Sequence, residues 1–439
     1  MSHAISNSFW GSLVDSLADK DHRHLWHPFT QMKDWMGEEP VIIESGQGAI
    51  LRDVNGREYI DANSSIWTNL HGHQHLKITQ AIKDQLGRIA HSSFLGLSNE
   101  PAIELAEKLV AIAPQGLTRV FYSDDGSTAM EVSIKMALQY WQHRKEPRRT
   151  RFVAFADAYH GDTLGAVSVG GIDLFHSAFR PLLFDVDRAN DITHVAQLMR
   201  EHRDAVAAVV IEPLVQGAAG MKMWQRGLLA ELRRLCTKHE ALLIADEVMT
   251  GFGRTGTMFA CEQEGVTPDL MAVAKGLTGG YLPLAATLTT EEVFRAFLGD
   301  YAEFKTFFHG HSYTGNQLGC AAALGNLQVF EEEQTLKALQ PKCEHLRAGL
   351  ELMRQLPHVG DVRHIGMIGA IELFQDVGAK KPFPLTDRIG IKVCAEMRRR
   401  GVLTRPIGNT IVLMPPYCIN GEQLERVLSV LAESVQTVP

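Results

Sequence analysis

Between about residues 76 and 330 the sequence alternates short apolar runs with stretches of helical spacing. The runs are Arg119–Tyr122, Arg151–Phe155, Ala205–Glu212, Leu242–Val248 and Leu270–Ala274. Continuous apolar runs of this length suit strands buried on both faces, which belong to parallel sheets covered by helices. Between two of the runs, Leu228, Leu229, Leu232 and Leu235 recur on one side of a helix over Arg226–Glu240. Strand–helix–strand repetition predicts an α/β fold with a mostly parallel central sheet. Ligands of such folds bind outside the carboxyl ends of the strands.

Two of the runs end on a charge. Leu242-Leu-Ile-Ala leads to Asp246, and Met271-Ala-Val-Ala leads to Lys275. A lone buried carboxylate or ammonium costs several kcal/mol unless it is paired or discharged. Asp246 could cap the turn that leads into Gly251-Phe-Gly253-Arg254, or form a buried pair with an arginine. Lys275 has apolar sequence before it and Gly-rich sequence after it, which disfavours a snorkelling surface lysine. A desolvated lysine loses its proton more readily and becomes a nucleophile. A lysine that attacks an aldehyde, and an aspartate that keeps a ring nitrogen protonated, divide the labour of a pyridoxal phosphate (PLP) enzyme.

Three further segments bear on a site. In Tyr122-Ser-Asp-Asp-Gly126-Ser127 a strand turns into a helix that continues through Lys135, Tyr140 and Trp141. The N–H groups at a helix start bind anions, and glycine admits a phosphate close to the backbone. A plain Ser N-cap is the competing reading. Tyr159-His160-Gly161 could lay an aromatic ring on a planar cofactor. Phe307-Phe-His309-Gly310-His311-Ser312-Tyr313-Thr314-Gly315-Asn316 is rich in hydroxyls and glycine, and could supply phosphate donors. His71, His73 and His75 alternate like ligands, as do His309 and His311. Zinc needs three such ligands and an open position, yet no carboxylate or cysteine is spaced as a partner, so no metal is expected. A zinc-dependent hydrolase is the remote alternative.

The 439 residues allow one large and one smaller domain. Residues 1–75 mix aromatics, turns and short strands, with a hairpin over Val41–Gly56 and a tight turn at Asn55-Gly56. Residues 76–334 form the large domain. Residues 335–439, with helices over Leu336–Leu356 and Asp387–Arg400, form a small α+β domain that packs with the N-terminal segment. The net charge of −8, without a basic stripe, argues against a nucleic-acid partner. No apolar stretch reaches the roughly 20 residues of a membrane span. Six scattered cysteines without a Cys-x-x-Cys pair read as reduced thiols, and Met1–Trp10 lacks a signal-peptide pattern, so a cytoplasmic protein is expected.

Taken together, Asp246-Glu-Val-Met-Thr-Gly-Phe-Gly-Arg-Thr-Gly256, Pro268-Asp-Leu270, Lys275-Gly-Leu-Thr-Gly-Gly280 and the upstream Gly126-Ser127 resemble the class III, PLP-dependent aminotransferases of fold type I. The resemblance covers nearly the whole chain. It implies a homodimer with active sites at the subunit interface, and small-molecule partners. It also implies roles. Lys275 would hold PLP covalently and move the proton, Asp246 would pair with the ring nitrogen, Val248 would pack on one ring face and Tyr159 on the other. Gly126 and Ser127 would bind the phosphate, with His311 and Ser312 reaching across from the other subunit.

Leu25-Trp-His-Pro28-Phe29-Thr-Gln-Met32, Ser64-Ser-Ile66-Trp67 with His71-Gly72, and Arg405-Pro with Met414-Pro-Pro-Tyr417 resemble the class members that aminate 8-amino-7-oxononanoate in biotin biosynthesis. There Arg405 would take the substrate carboxylate, while Phe29, Ile66 and Trp67 would wall its aliphatic chain and Gly310 would give it room. The amino donor of such enzymes is S-adenosylmethionine or lysine. Phe29, Ile66 and His311-Ser312 stand where users of S-adenosylmethionine carry Tyr, Trp and Pro-Thr, so the resemblance leans to lysine. A broader ω-aminotransferase acting on diamines or β-amino acids is the nearest alternative.

Overall fold

The computed structural model describes residues 16–438, so Met1–Trp10 lies outside the described residues. A seven-stranded sheet forms the centre. From edge to edge its strands are Leu117–Ser123, Ala285–Thr290, Leu270–Val273, Leu242–Asp246, Val206–Ile211, Arg151–Phe155 and Val186–Ala189. Val206–Ile211 and Leu242–Asp246 are buried along their whole length, as their unbroken Val, Ile, Leu and Ala content requires.

The sheet is mostly parallel, and one strand breaks the pattern. Ala285–Thr290 runs antiparallel to both of its neighbours. Its sequence, Ala-Ala-Thr-Leu-Thr-Thr, carries little apolar bulk and gives no strand signal of its own. Its buried hydroxyls are satisfied by other elements: Thr287 Oγ1 donates to the Ala129 carbonyl and Thr289 Oγ1 to that of Asp269. Edge strand Val186–Ala189 was also not predicted, since Val-Asp-Arg-Ala has no apolar run to mark it.

The helix Gly126–His143 starts where Leu117–Ser123 ends. Its N-cap is Asp125, whose side chain accepts from the Thr128 N–H. Ser127 is therefore not the cap, contrary to the simpler sequence reading. The helix Leu228–Lys238 and the helices Thr335–Met353 and Ile389–Arg399 fall within a few residues of the expected ranges.

The N-terminal segment forms three antiparallel strands, Ile43–Gln47, Ile50–Asp53 and Glu58–Asp61. The hairpin turns at Gly48, which has φ +56°, and Asn55-Gly56 joins the second strand to the third. Glu58–Asp61 then pairs in parallel with Val402–Leu403, tying the two ends of the chain together by backbone hydrogen bonds. A second C-terminal sheet is built on Val359–Ile365, Ile368–Asp376 and Thr410–Leu413. One apolar cluster runs from Leu105, Met271 and Val273 to Leu346, Ile371, Val393 and Leu428. All six cysteines are unpaired. Among the described residues no helix is long and apolar enough to cross a membrane.

Candidate active site

The carboxyl ends of the central strands open on a cavity of about 1200 Å³. Asp246 is the last residue of its strand, and Lys275 follows Val273 by two positions. Both line the cavity, with no hydrogen bond or ion pair between them among the described residues. Lys275 has φ +41°, uncommon for a residue with a Cβ, at the start of a short turn. Asn326 fastens that turn by donating to the carbonyls of Gly276 and Leu277. Burial holds the Lys275 ammonium below the ordinary lysine range, partly offset by the charges of Asp246 and Glu212.

Asp246 uses its oxygens separately. Oδ1 accepts from the Val248 N–H at 3.0 Å, the turn-capping role foreseen from sequence. Oδ2 lies 2.7 Å from Nδ1 of His160. The buried arginine alternative fails, because Arg254 donates to the carbonyls of Asn69 and Pro415 and sits over the Tyr417 ring. Burial opposes a charged His160, but hydrogen bonding and charge from Asp246 outweigh it and hold the imidazole above the ordinary histidine range. Glu212, buried beside them, is pushed up to about 7 by burial. It accepts the N–H groups of Tyr159 and Gly217.

The walls come from several elements. Tyr159 and Val248 both line the cavity. The Tyr159 hydroxyl donates to Asp162 at 2.6 Å, and its ring meets Phe175 edge-on, which in turn meets Phe29 at 5.4 Å. Gly126 and Ser127 lie at the helix start, where the first N–H groups have no intrahelical acceptor. The cup is tight: a Cβ on Gly126 would come 2.6 Å from Val248 Cγ1, and one on Gly161 would come 2.0 Å from Ser127 Oγ. Trp67 places its ring centroid 4.9 Å from Lys275 Nζ. Phe29, Ile66 and Arg405 line the cavity too, as expected.

Three expected residues stand elsewhere. Gly310, His311 and Ser312 do not line the cavity. His311 Nδ1 lies 2.8 Å from Oδ2 of its own chain's Asp124, just before the Gly126-Ser127 cup. The Ser312 carbonyl accepts from His91, and the space around Gly310 is open. His309 and His311 stay together, Nε2 to Nε2 at 3.2 Å, whereas His71, His73 and His75 take separate hydrogen-bond and packing partners. His73 turns to Asp61 and Asn69, His75 to Glu333, and His71 packs edge-on against Phe330. Among the described residues no three His, Cys, Asp or Glu side chains converge as metal ligands.

Sequence reasoning did not assign His160, Glu212 or Phe175 to the site. His160 adjoins Tyr159 in a segment singled out for its aromatic ring, but no local pattern ties it to Asp246. Glu212 ends an apolar run as Asp246 does, and that signal could have found it.

The class III aminotransferase family model matches residues 32–435. The chain belongs to the class III aminotransferases. An enzyme of Geobacter sulfurreducens named adenosylmethionine-8-amino-7-oxononanoate aminotransferase is 51% identical, covering 97% of this chain and 98% of its own. The crystal structure of the Methanocaldococcus jannaschii enzyme of that name superposes with a TM-score of 0.94 at 44% identity, covering 96% of this chain and 98% of its own. The omega transaminase of Pseudomonas jessenii, solved in complex with PMP, superposes with a TM-score of 0.91 at 29% identity over 96% and 97% of the two chains.

This aminotransferase is thus a PLP-dependent enzyme of fold type I. Its residues fit the cofactor. A half-buried amine depressed in pKa by desolvation, a carboxylate at an adjacent strand end and a cup that excludes a Cβ converge on one cavity.

Proposed function

We propose that this aminotransferase moves an amino group to the ketone of 8-amino-7-oxononanoate, giving 7,8-diaminononanoate for biotin biosynthesis, the reaction for which its relatives are named. One observation carries the reading. The cavity that holds Lys275 and Asp246 is also lined by Arg405, with Trp67, Ile66 and Phe29 supplying apolar wall. A guanidinium suits a carboxylate, and an apolar wall suits the methylenes between that carboxylate and the ketone. Among the described residues no carboxylate pairs with Arg405, so its charge is free for an acid substrate.

PLP supplies an aldehyde that accepts the amino group and a ring that stores the electron pair when the donor carbon loses its proton. The chain supplies the rest. Lys275 provides the covalent anchor, and its depressed pKa lets it take and return that proton. Asp246, held by His160 at 2.7 Å, would keep a proton on the ring nitrogen. Tyr159 and Val248 would enclose the ring, and Gly126 and Ser127 would bind the phosphate from the helix start. His311 and Ser312 reach the phosphate of the opposite subunit in a homodimer with shared sites, and Gly310 makes room for substrate there. The large domain of 76–334 faces a small domain of 335–439, with which the N-terminal segment 1–75 packs as far as its residues are described. The enzyme works in the cytoplasm.

The reading is tested by supplying 8-amino-7-oxononanoate to the cofactor-loaded enzyme with a donor and following 7,8-diaminononanoate. No product with this ketone, but turnover of simple diamines or β-amino acids, would leave a broader ω-aminotransferase. For the donor, the relatives are named for S-adenosylmethionine, whereas Phe29 and Ile66 favour lysine. Each amine is added alone to the PLP form, and the donor is the one that bleaches the protein-bound cofactor absorbance.

A further inference from the structure

Ser64, Ser65, Ile66 and Trp67 all take positive φ, at 49°, 48°, 69° and 67°. Four consecutive residues with side chains form one left-handed turn. Each crowds its Cβ against a carbonyl there, and such a turn persists only where its surroundings over-determine it.

The surroundings converge on Asp61, the buried last residue of the strand Glu58–Asp61. Its Oδ1 accepts the N–H groups of Ser65 at 3.1 Å and Asn63 at 3.3 Å. Its Oδ2 accepts the Ser65 hydroxyl at 2.9 Å and lies 3.3 Å from His73 Nε2. His73 is held in turn by Asn69, at 3.0 Å from its Nδ1. A second tether is the Ser64 hydroxyl, which donates to the Met414 carbonyl at 2.6 Å. The turn delivers Trp67. Its indole N–H donates to Asn63 Oδ1 at 3.0 Å, its ring centroid lies 4.9 Å from Lys275 Nζ, and its edge abuts Gly217, where a Cβ would come 3.2 Å from Cζ3.

We propose that Asp61 is a positioning residue for the reaction: it locks the left-handed turn that sets the Trp67 ring against Lys275 and thereby fixes the apolar wall for the acceptor. Asp61 does not itself line the cavity, so its effect passes through Trp67. The inference rests on Trp67 walling the acceptor, as proposed for 8-amino-7-oxononanoate. Asparagine at 61 would keep one acceptor oxygen but place an NH2 where the Ser65 hydroxyl and His73 point.

A double-mutant cycle on the cofactor-loaded enzyme, with the acceptor varied, tests it. Asp61→Asn should raise the acceptor's KM about tenfold with a smaller loss in kcat, while the cofactor's protein-bound absorbance is retained. In a Trp67→Ala background the same substitution should change kcat/KM by less than about threefold. Ser65→Ala removes a single bond to Asp61 and should shift KM in the same direction by about threefold, so the test survives if Asp61→Asn folds poorly. Equal losses in both backgrounds, or a loss in kcat alone, would overturn the inference and leave Asp61 a folding residue. If Trp67→Ala itself leaves the acceptor's KM unchanged, the wall reading falls, and this inference with it.

Discussion

Nδ1 of His160 lies 2.7 Å from Oδ2 of Asp246, and both side chains are buried. The other oxygen of Asp246 is occupied by the Val248 N–H. The pair therefore orients one carboxylate in a dry site, where a hydrogen bond and a nearby charge count for more than in water. In the role proposed for it, the carboxylate would have to stay anionic to hold a proton on the cofactor's ring nitrogen, and His160 supplies the compensating donor. His160→Phe should lower kcat by roughly tenfold or more, with a smaller change in acceptor KM. Asp246→Asn should cost more, at least about a hundredfold, because the charge itself is removed. Steady-state rates on cofactor-loaded variants check both. A His160→Phe enzyme with unaltered kcat would show that the pair only packs the core.

Lys275 should be indispensable to chemistry and dispensable to the fold. Its ammonium is half-buried in the cavity without an ion-pair partner among the described residues, and desolvation depresses its pKa. An unpaired, partly desolvated amine costs stability. Lys275→Ala should abolish turnover and the covalent cofactor absorbance, while the melting temperature of the cofactor-free protein stays level or rises. A fall of several degrees would contradict this account of the site.

Arg405 should act on binding rather than on the chemical step. Removing a guanidinium that makes a charge-assisted hydrogen bond to a carboxylate costs about 1.5–3 kcal/mol, or roughly ten- to a hundredfold in affinity. Arg405→Ala should raise the acceptor's KM by about that factor and leave kcat within about threefold. Arg405→Lys should recover only part, because the bidentate fork is lost. A simple aldehyde acceptor without a carboxylate should be indifferent to either substitution, and equal sensitivity to it would remove Arg405 from the carboxylate role.

The central sheet was legible because burial on both faces demands unbroken apolar strands, as in Leu242–Asp246 and Val206–Ile211. The antiparallel Ala285–Thr290 was not, because its interior is filled by threonines that satisfy their hydroxyls across the fold. The site divided in the same way. Asp246 and Lys275 betrayed themselves as charges at the ends of apolar runs. His160 and Asp61 carried no such local mark, since their roles exist only through partners that tertiary packing brings to them. The left-handed turn at Ser64–Trp67 is equally silent in sequence: none of its residues prefers positive φ, and hydrogen bonds from outside the turn impose it.

His71 offers a pH test of a histidine that sequence spacing made a metal candidate. Its ring is buried against Phe330 and Tyr417, and among the described residues Nε2 has no hydrogen-bond partner. Burial pushes its pKa down to about 3, with His75 and Arg254 adding to the effect. Its ordinary value is 6.5. As pH falls below about 6.5 the unfolded chain takes up a proton that the folded chain refuses, so this group's contribution is complete above that pH. The contribution is lost progressively toward pH 3. At pH 5 the loss is about 2 kcal/mol relative to pH 7. His71→Gln has no proton to take up and should escape that part of the acid destabilisation. Denaturant unfolding at pH 7 and pH 5 measures it: the wild type should lose about 2 kcal/mol more than the variant over that interval. Equal losses would mean that the folded protein protonates His71 as readily as the unfolded chain does, and that its pocket is open to water.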